Sequence, residues 1–128
     1  LLKEFDLSKQ ECMFLIITYT LSAKDKNVCL KEIREKMEMS KPSISILMSK
    51  LEKKGYIERH LNKQNLREIY VRLSDYSMKV AESTIAKINQ HLNMIIERMG
   101  ISKVEELIEL NKLFNETSKL IMEEDKSC

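Results

Sequence analysis

A mainly α-helical fold with a single two-stranded β-hairpin set between helices is what this sequence predicts, and three observations predict it. Its 128 residues include only two glycines and one proline, so the strongest helix breakers are nearly absent. Apolar residues recur at helical spacing over most of the chain, and the period changes to two only between residues 56 and 73. Charge is concentrated rather than spread. Residues 41–72 carry eight basic and three acidic side chains, a net of +5, whereas residues 1–40 carry seven of each and residues 73–128 carry seven basic and ten acidic, a net of −3. The overall charge of +2 hides this distribution, and a basic centre points to a polyanion met by the middle of the chain.

The elements follow in order. Ser8-Lys9-Gln10-Glu11 has the form of a capping box, and Cys12, Leu15, Ile16 and Tyr19 continue at helical spacing, which predicts a helix over about 9–22. Asp25-Lys26-Asn27 breaks it. Val28-Cys29-Leu30 reads as an isolated β-bridge, and Ile33 and Met37 lie on one face of a short helix over about 31–38. Ser40 is a good N-cap for the next helix, with Pro42 in the first turn, where a missing N–H matters least. Ile44, Leu47, Met48 and Leu51 form its apolar face, and Gly55 is placed to close it. Residues 56–61 read as a strand, 62–65 as a turn, and Glu68–Leu73 as a second strand with Ile69, Val71 and Leu73 on one side. Ser74 caps a long helix that Gly100 ends near Met99. Ser102-Lys103-Val104-Glu105 reads as a second capping box opening a last helix to about Glu124.

A short helix, a tight turn, a second helix ending in Gly and a basic hairpin make a helix-turn-helix with a wing. A helix of this kind fits the major groove of duplex DNA, which is about one helix wide. If Ile44, Leu47 and Leu51 face the core, Ser45, Ile46, Ser49 and Lys53 lie on the opposite face. Short hydroxyl side chains allow close approach to base edges, and Ile46 suits a thymine methyl. Ser40, Lys41, Pro42 and Ser43 occupy the helix N-terminus, where free N–H groups and the positive dipole end attract phosphate. Lys63 and Arg67 sit at the hairpin tip. A Ser- and Lys-rich helix face is, taken alone, ordinarily a solvated one. The hairpin and the local +5 turn the reading towards DNA.

Leu7-Ser8 with Glu11 and Leu15, Leu30-Lys31-Glu32-Ile33, Ser40–Ser45, Leu51–Arg59 and Val71–Ser74 follow the order of a known family, and the chain resembles the MarR-family regulators over roughly 7–125. The run LEKKGYIER before a basic wing is the most specific part of the likeness. The resemblance implies a winged helix-turn-helix homodimer, in the cytoplasm, that binds pseudo-palindromic double-stranded DNA. It further implies a repressor released by a small, often aromatic, effector or by cysteine oxidation. It places Arg67 in the minor groove. The sequence departs from the family in four places. The wing's usual Asp-x-Arg is Asn65-Leu66-Arg67, and Ile46 stands where Arg is common. The Leu-Thr-x-x-Gly after the wing is Leu73-Ser74-Asp75-Tyr76-Ser77, and the family's first helix is almost entirely lacking before Leu7. The chain does not begin with Met, so a missing natural start is expected.

The expected organisation is one domain over 1–128, with a DNA-binding lobe over 7–73 and a helical dimerisation region from 1–6 and 74–128. Met78, Ala81, Ile85, Ile88, Leu92, Ile95 and Met99 form an apolar seam along the long helix. In the last helix the stripe Val104, Leu107, Leu110, Phe114, Thr117 and Ile121 is widened by Ile108, Leu113 and Leu120. The expected dimer interface is Leu107, Leu110, Leu113, Phe114, Thr117 and Ile121.

Other chemistry is thin. Cys12, Cys29 and Cys128 are odd in number and form no CxxC, which fits a reducing compartment, with Cys12 and Cys29 read as core and Cys128 as tail. His60 and His91 are too isolated for a metal site, and no cofactor is expected. The eight methionines are read mostly as core fillers. No nucleophile–base pair or phosphate loop is visible, so an enzyme is not expected. No apolar run approaches the ~20 residues that span a bilayer, and no signal peptide is read, so no membrane partner is expected. The alternative function is a helical protein–protein interaction module, for which basic residues at a hairpin tip would have no purpose.

Overall fold

In a computed structural model, residues 5–126 are described; Cys128 and the first four residues of the expected dimerisation region lie outside them. The element order is α1 (Lys9–Leu21), β1 (Val28–Cys29), α2 (Leu30–Met37), α3 (Lys41–Lys53), β2 (Ile57–Leu61), β3 (Ile69–Leu73), α4 (Asp75–Met99) and α5 (Ile101–Lys126). The fold is thus mainly helical with one small antiparallel sheet.

Each boundary has a local cause. At the start of α1 the Ser8 hydroxyl accepts from the Glu11 N–H at 3.1 Å and the Glu11 carboxylate accepts from the Ser8 N–H at 3.1 Å, a complete capping box. At the start of α3 the Ser40 hydroxyl accepts from the Ser43 N–H, with proline in the first turn. The end of α3 is a Schellman turn. Gly55 takes φ +79°, its N–H donates to the Glu52 carbonyl, and the Tyr56 N–H donates to the Leu51 carbonyl.

Two expectations are corrected. Val28-Cys29-Leu30 is not an isolated bridge. Val28 and Cys29 pair with Val71 and Tyr70, so the sheet has three strands in the order β1-β3-β2, and Leu30 already opens α2. Nor does Ser102 cap the last helix. Gly100, at φ +88°, lets α5 restart at Ile101, and the Val104 N–H bonds to the Gly100 carbonyl, which leaves Ser102 within the first turn.

The chain divides into two compact units, Leu1–Ala86 and Lys87–Cys128. The first is built around Phe14, Leu15, Ile33, Met48, Leu51 and Val71, all fully buried, with Val80 of α4 at the edge of the same core. Ile44 and Leu47 complete the inner face of α3. Ser77, which occupies the family's glycine position, is fully buried, and its hydroxyl donates to the Tyr56 carbonyl at 2.6 Å. The hydroxyl therefore satisfies a main-chain acceptor in the core. The second unit holds the remainder of α4 and α5, and α5 has no buried residue.

Candidate nucleic-acid interface

The inward turn of Ile44, Leu47, Met48 and Leu51 leaves the other side of α3 bare. Ser45, Ser49 and Lys53 are exposed, and Ile46 is 61% exposed although apolar. At the N-terminus of α3, Ser40, Lys41, Pro42 and Ser43 are all exposed. The Ser40 hydroxyl donates to the Ser43 hydroxyl at 2.9 Å, so these two side chains are held together at the helix end. No acidic residue lies in the first turn, which leaves the positive end of the helix dipole uncompensated.

The wing is the turn between β2 and β3, whose register runs from Ile57↔Leu73 to Leu61↔Ile69. Its tip is tied by side-chain amides. The Arg67 N–H donates to Asn65 Oδ1 at 3.1 Å and the Gln64 N–H to Asn62 Oδ1 at 2.9 Å. Asn62 Nδ2 donates to Glu68 Oε2 at 2.9 Å, and the Tyr70 hydroxyl donates to the same carboxylate at 3.2 Å. Asn65 thus orders the backbone at Arg67 although it carries no charge. Lys63 and Arg67 are exposed, and the Arg67 guanidinium has no carboxylate partner among the described residues.

Between α2, α3 and the hairpin lies a cleft of about 550 Å³. Its rim carries Lys31, Arg34, Lys41, Arg59 and Arg67, with Ser45 beside them and Glu68 as the one acid. The predicted Lys41, Ser45 and Arg67 are therefore brought together, whereas Ser49, Lys53 and Lys63 do not line the cleft. Lys31, Arg34 and Arg59 were not singled out from the sequence. Arg59 stands at the end of the LEKKGYIER run, and the Lys31 and Arg34 pair is spaced i, i+3 on α2, so a signal was present. The Arg59 guanidinium donates to Glu52 Oε1 from Nε at 3.1 Å and from Nη2 at 2.6 Å, which sets its direction.

The remaining reactive groups have quieter roles. Cys12 is buried, and burial pushes its thiol pKa up against a lowering hydrogen bond with Thr84, the opposite of what an oxidant sensor requires. Cys29 is half-buried in the cleft wall. His60 faces Glu58 at 3.3 Å. Among the described residues no group of three His, Cys, Asp or Glu side chains is placed to hold a metal, and no helix is long and apolar enough to cross a membrane.

Comparison with known proteins agrees with this geometry. A family model for the winged helix DNA-binding domain matches residues 14–92. The transcriptional regulator SarA of Staphylococcus aureus is 24% identical over 90 residues, covering 70% of this chain and 71% of SarA. Among solved structures, the S. aureus MepR–DNA complex superposes with a TM-score of 0.77 at 19% identity, covering 89% of this chain and 82% of MepR. Streptococcus pneumoniae FabT in complex with DNA gives 0.74 at 19% identity, covering 90% and 78%. A MarR protein from Peptoclostridium difficile gives 0.72 at 23% identity, covering 94% and 74%. At these identities the superpositions establish a common fold.

Proposed function

The chain belongs to the winged helix DNA-binding domain family, which is a family of DNA-binding regulators and not of enzymes, and on that premise we propose that it regulates transcription as a homodimer on a pseudo-palindromic operator. The carrying observation is the bare outer face of α3 beside a wing whose Arg67 guanidinium has no carboxylate partner among the described residues. In this reading α3 enters the major groove, with Ser45, Ile46 and Ser49 towards base edges. Ser40, Lys41, Pro42, Ser43 and Lys53 meet the backbone. The wing delivers Arg67 to the adjacent minor groove with Lys63 on its phosphates. MepR and FabT, which share the fold, were solved on DNA, and this supports the same use of the fold here.

The sign of regulation follows the MarR resemblance: repression, relieved when a small aromatic effector binds. The test is binding to the promoter of the protein's own operon across a salt series. Each neutralised phosphate contributes a slope of about −0.9 in log K against log salt, so Lys41, Lys53, Lys63 and Arg67 from two protomers give a slope of several units. A flat response would overturn the DNA reading. Effector binding that leaves DNA affinity unchanged would overturn release by ligand.

A further inference from the structure

Eight basic side chains lie between residues 41 and 72, and the simplest expectation for each is a phosphate contact. Lys54 departs from it. Its ammonium lies 2.8 Å from the Asp6 carbonyl oxygen, 3.2 Å from Glu11 Oε1 and 3.0 Å from Glu11 Oε2. The ammonium donates to the Asp6 carbonyl and to Glu11 Oε1, and Oε2 adds an ion-pair contact without a hydrogen bond of its own. Two of the three N–H donors of a side chain that is 34% exposed are thus turned inward. The Glu11 side chain is only 6% exposed, so the pair is closed to solvent on the acidic side. A few residues on, the Tyr56 hydroxyl donates to the Phe5 carbonyl at 2.8 Å. Asp6 takes a left-handed φ of +52°, a conformation Asp tolerates better than most residues, and its carbonyl meets the ammonium there. Two ties therefore join the segment at the start of α1 to one point: the C-cap of α3 and Tyr56, the residue that leads into β2.

We propose that Lys54 is a positioning residue for DNA binding, a strut clamped between the Asp6 carbonyl and the buried Glu11 carboxylate that fixes the end of α3 and the root of the wing, and that it touches no phosphate. The proposal rests on the DNA-binding reading above. The spacing between the outer face of α3 and the wing tip decides whether both grooves are met at once, and this spacing is set where α3 turns into β2 through Lys54, Gly55 and Tyr56. The strut braces that turn from the far side.

Phosphate contact and strut make opposite predictions for Glu11→Gln. This change removes a negative charge from a DNA-binding lobe, so electrostatics alone raises affinity. Loss of a strut lowers it. The experiment measures operator affinity of the wild type, Glu11→Gln, Lys54→Gln and the double variant over a salt series, at a temperature where circular dichroism shows each to be folded. The expected result is a loss of about tenfold or more for each single variant, no further loss in the double variant, and an unchanged salt slope. If Lys54 met a phosphate in each protomer, Lys54→Gln would flatten the slope by about 0.9 per phosphate. That flattening, or a Glu11→Gln protein that binds as tightly as the wild type, would overturn the proposal. So would variants that melt earlier yet bind with full affinity while folded. If Lys54→Gln does not fold, Glu11→Gln alone still decides, through the direction of its effect. Wild-type protein that binds no duplex would overturn the proposed function itself, a result distinct from any of these.

Discussion

Arg67 carries the wing's charge to its tip with no carboxylate partner among the described residues, and its backbone is ordered by the Asn65 amide. A narrow A·T minor groove concentrates negative potential that holds an inserted Arg. Arg67→Ala is therefore expected to weaken binding to every sequence, and most at A·T-rich flanks; unchanged affinity in a fluorescence titration would remove the wing from the interface. Ser45→Ala and Ile46→Ala are expected to shift base preference instead, by about 1–3 kcal/mol for each base-edge interaction removed. Glu11 makes a second residue-scale prediction. Burial alone raises its pKa, but the Lys54 ammonium and the Ser8 donors outweigh burial and hold the carboxyl below its ordinary value. A depressed folded value means that the group's contribution to stability is complete above the ordinary carboxylate pKa of about 4.3 and is lost as pH falls through the lower, folded value. The difference in melting temperature between wild type and Glu11→Gln is thus expected to be constant near neutrality and to shrink only below about pH 4.3. A difference that vanished already at pH 6 would contradict the pairing.

At the scale of elements, the turn from α3 into β2 is where sequence and geometry agree most closely. Gly55 at φ +79° has open space around the position a Cβ would take, so Gly55→Ala meets no clash and carries only the backbone cost of the left-handed conformation, about 1–2 kcal/mol. Thermal unfolding should show that loss, and a loss several times larger would mean that the turn is also close-packed. Signals confined to a few neighbouring residues were legible in the sequence: the Ser8 capping box, the Ser40 cap with its proline, the Schellman glycine, and the apolar face Ile44, Leu47, Met48 and Leu51. What depends on distant partners was not. Val28 and Cys29 become a strand because Val71 and Tyr70 arrive beside them. Glu11 reads as a helix cap, and nothing local shows that it will be buried and paired with Lys54. Lys31 and Arg34 join the cleft only once α2 is folded against the hairpin. Ser102 misled for the opposite reason: a local cap signal was overruled by the freedom of Gly100.

At the scale of the whole molecule, the question is what covers the second unit. Within a single chain Leu107, Leu110, Leu113, Phe114 and Ile121 are each more than half exposed, Phe114 at 72%, and Ile108, Leu120 and Met122 are equally bare. In α4, Leu92, Ile95 and Met99 are exposed as well. A soluble monomer rarely tolerates a contiguous apolar area of this extent, and burying apolar surface contributes roughly 25 cal/mol per Å². A second copy of the chain is the partner proposed, and its two-fold axis would set the two α3 helices about 34 Å apart, one turn of DNA, which is why the operator is expected to be palindromic. Placing Asp at Leu110 and Phe114 should therefore convert the protein to a monomer by light scattering at micromolar concentration and abolish specific DNA binding together. The first unit should stay folded, because neither residue belongs to its core. The double variant would keep only weak, salt-sensitive, non-specific binding, since each lobe retains its own charges but loses the register that the partner supplies. A wild-type chain that is monomeric under these conditions and still holds its operator tightly would refute the dimer, and with it the palindrome.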